Sequence, residues 1–291
     1  MLVVQNKFFR PFSGRGKPSK DTIAIARTLE GGDVALFIPY TQSTYGDIDS
    51  EGEDDDDEMA DDDDMSGRVV KSISGQPWVP IFNDRLTMFI GGIPGAGKSY
   101  LAKQMIGLLP DDLDILLFTA LEEKDGNFEE LDKAKRLTKI KMSPEVLSSI
   151  NLTEIRKRTK ANQVVLIFDD IDQMADAKIA SMTLHIMNDA LANGRGHEKH
   201  DGKGDVHVIC TTHTVNNYIK TKYMFENSNY IALFPTSTPV KQMETMFEKI
   251  GLDKVLCRKI IRVCRRKSIR SIIIHKTVPM YLIFGDKIML L

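Results

Sequence analysis

Ile90–Ser99 reads IGGIPGAGKS. Within it, Gly92-Ile93-Pro94-Gly95-Ala96-Gly97-Lys98-Ser99 fits G-x-x-x-x-G-K-[ST], the phosphate-binding P-loop. The glycines Gly92, Gly95 and Gly97 permit positive φ and let the backbone approach a phosphate with no Cβ in the way. The loop N–H groups then form an anion nest. Lys98 adds a point charge for the β- and γ-phosphates, and Ser99 offers a hydroxyl to Mg²⁺. The helix that follows aims its positive end at the same anion. Gly92, Ile93, Pro94, Gly95, Ala96, Gly97, Lys98, Ser99 and Tyr100 are therefore the candidate nucleotide-binding residues.

Both flanks suit the motif. Leu86-Thr87-Met88-Phe89-Ile90 is an apolar run that predicts a buried strand, and Tyr100 to Leu109 carries apolar residues at helical spacing.

A second motif is Val164-Val165-Leu166-Ile167-Phe168-Asp169-Asp170. An all-apolar run predicts a parallel strand covered on both faces. It ends in two carboxylates at the strand's carboxyl end, where open α/β sheets place ligands. This is a Walker B pattern. Asp169 is the candidate Mg²⁺ carboxylate, holding the ion mostly through water. Asp170 is the candidate that orients or deprotonates an attacking water. A further apolar strand, Val206 to His213, ends in polar groups. Thr212 is placed there to sense a γ-phosphate, and His213 reads equally as a hydrogen-bonded strand-end histidine.

Between these motifs the pattern predicts a strand over Asp114–Thr119, a helix from near Phe128 to Thr138, and a helix over 151–160 with a basic cluster. Another helix follows over 176–193, closing at Gly194, with Arg195 just past its end. The polar loop over 196–205 has no apolar framework to hold a metal. Beyond it come a strand over 230–235, helices over 240–250 and 253–263, and the strand Ser271–Ile274. A terminal hairpin turns at Gly285-Asp286. A complete strand and further helices separate the P-loop strand from the Walker B strand. That spacing makes room for a strand between them in the sheet, as in ATP-driven motors, and argues against a simple nucleotide kinase. The fold class is α/β: a P-loop NTPase with a mainly parallel sheet flanked by helices, a C-terminal β-hairpin and a small strand-rich N-terminal extension.

The 291 residues suit one large α/β domain with a small appendage. The expected division is an extension over 1–45, an acidic linker over 46–66 and the P-loop domain over 67–291. Thr22–Ala26 and Asp33–Ile38 read as strands joined at Gly31-Gly32, and residues 13–20 form a basic loop. Residues 47–64 hold thirteen acidic side chains and no basic one. Like-charge repulsion predicts disorder there. The tract reads as a solubilising linker or as a DNA mimic competing for the protein's own basic surface. Subtracting those thirteen charges from the chain's −2 leaves +11 on the remainder, which points to a polyanionic partner, most simply nucleic acid. No run is long enough to cross a membrane, and the N-terminus lacks a signal pattern, so a cytosolic or nuclear protein is expected. Cys210, Cys257 and Cys264 read as reduced core thiols.

Taken together, GGIPGAGKS, VVLIFDDID, HVICTTH, ENSNYIALFP and the terminal RSIIIHKTVPMYLIFGDKIMLL resemble the genome-packaging ATPases of large nucleocytoplasmic DNA viruses. The poxvirus packaging ATPase is the best-known relative, and the group belongs to the FtsK–HerA superfamily. The resemblance covers about residues 80–291. It implies an oligomeric motor, a ring, that hydrolyses ATP with Mg²⁺ to drive double-stranded DNA into a preformed capsid. Capsid or vertex proteins are then partners, with no membrane involved, and the place of action is the host cytoplasm or the virion. By position, Lys98 and Ser99 bind phosphate and Mg²⁺, Asp169 serves Mg²⁺ and Asp170 is the catalytic carboxylate. Arg195 matches a family arginine that follows the Walker B helix, the candidate arginine finger. Gly196 and a longer polar loop stand where the family often has histidine and a short path. Two other readings remain open: another ATP-dependent helicase or remodeller, and a nucleotide-gated scaffold with negligible hydrolysis.

Overall fold

The computed structural model describes residues 9–12, 23–28, 34–37, 69–72, 75–82, 85–119, 128, 131, 137–158, 163–195, 204–213, 215 and 218–291. The acidic tract and the basic loop over 13–20 lie outside these residues. So do all but the last two residues of the polar loop over 196–205. The chain forms two compact units, one of residues 1–81 with 281–291 and one of residues 82–280.

In the first unit, β1 (Phe9–Phe12), β2 (Ile23–Thr28), β3 (Val34–Phe37) and β5 (Trp78–Pro80) form an antiparallel sheet in the order β1-β3-β2-β5. β2 and β3 are the two strands expected on either side of Gly31-Gly32. The expected C-terminal hairpin, β13 (Tyr281–Phe284) with β14 (Lys287–Leu290), pairs in turn with β4 (Val69–Lys71). Its turn is tied down by the segment around β5. The Trp78 N–H donates to Gly285 O at 2.9 Å, and the Trp78 indole N–H donates to Asp286 O at 3.0 Å. Strands β1, β4 and β5 are too short to show a period in sequence.

The second unit carries the P-loop. Its strands are β6 (Thr87–Gly91), β7 (Asp114–Thr119), β8 (Leu137–Ile140), β9 (Val164–Asp169), β10 (Val206–Thr212), β11 (Tyr230–Leu233) and β12 (Ile272–His275). They lie in the order β12-β11-β6-β10-β9-β7-β8. All neighbours are parallel except β11 and β12. The room between the P-loop strand and the Walker B strand is filled by β10. Every residue of β6, β9 and β10 is buried. This is why those three segments read as unbroken apolar runs rather than alternating ones.

The helices are α1 (Lys98–Ile106), α2 (Pro144–Ser148), α3 (Leu152–Arg158), α4 (Ala177–Asn193), α5 (Tyr218–Asn227), α6 (Val240–Lys249) and α7 (Lys254–Arg266). Asp176 caps α4 by accepting from the N–H groups of Lys178 and Ile179, and Asp253 caps α7 in the same way. The helix expected to run to Thr138 does not extend that far: Leu137–Ile140 is strand β8, parallel to β7. Leu137 is buried while Thr138 and Lys139 are exposed, the partial alternation of an edge strand. Helix α5 was not predicted. Its aromatic and β-branched residues and its weak amphipathicity give little helical signal. Among the described helices, none is long and apolar enough to cross a membrane. Cys210, Cys257 and Cys264 are free and buried, as expected.

Candidate active site

The P-loop follows β6 at the carboxyl end of the parallel strands. The Gly92 N–H donates to Thr212 O at 3.1 Å, fixing the start of the loop against β10. A Cβ on Gly92 would lie 2.7 Å from the ring of Phe234, so this position tolerates only glycine. Gly95 and Gly97 have φ of 77° and 103°, and Gly97 is the residue before the first turn of α1. The backbone freedom expected of these glycines is therefore used. Ile93, Pro94, Gly95 and Tyr100 are exposed along the loop, while Lys98 is buried.

Lys98 Nζ lies 3.4 Å from Asp170 Oδ1, and Lys98 is 5% exposed. It also reaches the carbonyl of Ile93 at 3.5 Å, within its own loop. Asp169 ends β9 and is 3% exposed. The hydroxyl of Thr211 bridges the two carboxylates, 2.8 Å from Asp169 Oδ1 and 3.1 Å from Asp170 Oδ1, and accepts the Asp170 N–H at 2.9 Å. His213 Nε2 sits 2.8 Å from Asp170 Oδ2. The His213 N–H donates to the carboxylate of Asp172 at 3.2 Å. Asp170 adopts φ 48° and ψ 40°. A left-handed non-glycine residue is uncommon, and such outliers cluster at functional sites.

The structure thus gathers Lys98, Asp169 and Asp170, with Ser99 one residue along α1. Thr212 is buried, and its carbonyl holds Gly92. Besides Lys98, the side chains that meet Asp170 are those of Thr211 and His213, which flank Thr212. His213 is the hydrogen-bonded strand-end histidine expected from the sequence, whereas Thr211 was not expected there. The signal that identifies them is the period of two, since 211 and 213 share a face that 212 does not. An acidic pair held by a hydroxyl, beside a P-loop lysine and serine, is a donor set that fits Mg²⁺ with a nucleotide triphosphate. Ser99 and Asp169 are the residues that would hold the ion.

Arg195 stands elsewhere. The Val206 N–H donates to Gly194 O at 2.8 Å, so Arg195 is pinned near the first residue of β10. The site lies at the other end of that seven-residue strand, roughly 20 Å away at 3.3 Å per residue. Arg195 is exposed, and its carbonyl accepts from Arg156. It lines a polar cavity of about 610 Å³ together with Arg85, Asp205, Asn229 and Lys276. The buried Arg85 guanidinium donates to the carbonyls of Ala190, Leu191 and Val206. Burial lowers its pKa to about 10. Burial lowers the pKa of Lys276 to about 8, and its ammonium donates to the carbonyls of Phe225 and Glu226. Both cations therefore close the last turns of helices, α4 and α5 respectively.

The family model for AAA, "ATPase family associated with various cellular activities", matches residues 88–231. The chain is also similar to the uncharacterized protein V3 of Sputnik virophage, 25% identical over 208 residues that cover 69% of this chain and 76% of the virophage protein. Among solved structures it is similar to the cytoplasmic domain of the type VII secretion ATPase EccC of Thermomonospora curvata. That match has 11% identity and a TM-score of 0.42, and it covers 94% of this chain but 29% of the EccC chain. It is likewise similar to the pCW3 conjugation coupling protein TcpA, at 11% identity and a TM-score of 0.43, covering 92% of this chain and 76% of that one. The viral relative and the ATPase family model agree with the resemblance read from the motifs. The AAA match spans just under half of the chain, and the chain is an ATPase of the P-loop class.

Proposed function

We propose that this chain is an ATP-driven motor that translocates double-stranded viral DNA into a preformed capsid. The observation that carries the reading is the meeting of Lys98 with the Asp169–Asp170 pair, joined through Thr211. Lys98 neutralises charge on the transferring phosphoryl group, and Asp170 orients or deprotonates the attacking water. Mg²⁺ bound at Ser99 and Asp169 would supply further charge stabilisation.

DNA as the partner is supported by the charge of the chain outside its acidic tract. It is also supported by α7, where Arg258, Arg262, Arg265 and Arg266 are exposed and residues 254–285 contain no acidic side chain. Assembly into a homo-oligomer is supported by the position of Arg195, which only a neighbouring copy's site can meet. Capsid or vertex partners, and action in the host cytoplasm or in the virion, rest on the resemblance to packaging ATPases.

The test is hydrolysis of MgATP with and without duplex DNA. The motor reading expects turnover that rises when duplex DNA is added. Binding without turnover favours the nucleotide-gated scaffold, and strand separation coupled to turnover favours a helicase.

A further inference from the structure

We propose that Arg270 is a further nucleotide-binding residue, contacting the α- and β-phosphates from the flank of the P-loop away from Asp170. The inference rests on the ATP-binding reading of this site and adds a residue to it.

Register places Arg270 at the right edge of the sheet. Gly91, the last residue before the loop, pairs with Leu233, and Leu233 pairs with Ile272. Because β12 runs antiparallel to β11, its beginning lies at the carboxyl end of the parallel strands. Arg270 precedes it by two residues. Asp170 follows the end of β9, which lies two strands from β6 on the other side. The P-loop is therefore flanked by a carboxylate on one side and a guanidinium on the other.

The side chain confirms the approach. A Cβ built on Gly97 would lie 3.9 Å from Arg270 Cδ, so the arginine stem packs beside the glycine that opens α1. The backbone there is well held. Arg265 donates to the carbonyls of Pro235 and Thr238, both at 2.8 Å, and the Ile269 N–H donates to Cys264 O at 2.8 Å. Ser268 turns the chain with φ 52°, a conformation that non-glycine residues adopt at a cost.

Other arginines nearby are committed to protein groups. Arg258 pairs with Glu244 at 2.6 Å, and Arg265 holds the two carbonyls just named. Arg270 is exposed and has no hydrogen-bond or ion-pair partner among the described residues. The stem of Arg270, the amino end of α1 and Lys98 thus all lie at one loop. A polyphosphate is the anion that satisfies all three at once. The position at Gly97, on the side away from the water-activating carboxylate, assigns Arg270 to the α- and β-phosphates rather than the γ.

The experiment measures Kd for MgATP and MgADP, without DNA, for wild type, Arg270→Ala, Arg270→Lys and Lys98→Ala. Arg270→Ala is expected to weaken both nucleotides by about tenfold, the loss of one charge-assisted contact. Its nucleotide-free unfolding midpoint should not move, since the side chain is exposed. Arg270→Lys should fall between. Wild-type Kd values in Arg270→Ala overturn the proposal, and so does a loss confined to ATP, which would place the guanidinium at the γ-phosphate. If Lys98→Ala loses binding while Arg270→Ala does not, only this inference falls. If wild type binds neither nucleotide, the ATP reading falls with it.

Discussion

Lys98 Nζ and Asp170 Oδ1 lie 3.4 Å apart, so the cation of the P-loop and the candidate general base form an ion pair across β10. Their roles predict different failures. Lys98→Ala removes the cation nearest the transferring phosphate, and turnover should fall on the order of 10²–10³-fold with weakened nucleotide binding. Asp170→Asn keeps the shape and removes the charge. It should still bind MgATP while turnover falls on the order of 10²–10⁴-fold. Nucleotide titration alongside steady-state hydrolysis separates the two, and wild-type turnover in Asp170→Asn would remove Asp170 from the mechanism.

Thr211 orients both carboxylates. Thr211→Val keeps the volume and removes the hydroxyl, and partners of this kind typically alter metal affinity or activity about 10–100-fold when lost. We expect a higher Mg²⁺ requirement and slower turnover, with Thr211→Ser close to wild type. An unchanged Mg²⁺ titration in Thr211→Val would contradict that role.

Arg195 is too distant to serve the site of its own chain. Arg195→Ala should leave ATP affinity and assembly intact while turnover falls on the order of 10³-fold or more, as for arginine fingers supplied in trans. Mixing Arg195→Ala with Lys98→Ala subunits should restore part of the activity, because some interfaces then pair an intact loop with an intact arginine. Wild-type turnover by Arg195→Ala alone would refute the assignment.

His207 gives a pH dependence of stability. It is 4% exposed on β10, its Nδ1 accepts the Leu86 N–H at 2.9 Å, and burial lowers its pKa to about 4. The unfolded chain takes up this proton near pH 6.5 and the folded one only near pH 4. The stability is therefore complete above about pH 6.5 and is lost as pH falls towards 4, on the order of 3 kcal/mol in all. Urea unfolding between pH 7 and 4.5 should show a shallower loss in His207→Asn than in wild type. Equal slopes would mean that His207 is not buried as a neutral imidazole.

The acidic tract over 47–64 offers a separate test. Its deletion should tighten nonspecific DNA binding at low salt, with the difference shrinking as salt rises. Equal affinity at low ionic strength would leave the tract as a linker.

What the sequence revealed follows from burial. The P-loop, β9 and β10 were legible because strands covered on both faces read as unbroken apolar runs, and a glycine loop or paired carboxylates end them. Helix α5 was not legible, since Tyr218–Asn227 lacks a clear apolar stripe. Strand β8, four residues at the sheet edge, looked like the end of a helix. Within the site, the residue types were legible and the faces were not. Thr212 was chosen at the strand end, while Thr211 and His213 carry the contacts to Asp170, because side chains alternate and the pairing that fixes the face is not local. Arg270 could not be found from its neighbours, since its relation to Gly97 passes through β6, β11 and β12.

The proposed motor moves along duplex DNA as it turns over ATP. The direct measurement is displacement of a third strand from a triplex placed on linear duplex DNA, with wild type and Asp170→Asn compared in ATP. ATP-dependent displacement by wild type and none by Asp170→Asn is the expected result. Vigorous DNA-stimulated hydrolysis by wild type that leaves the triplex in place would contradict it.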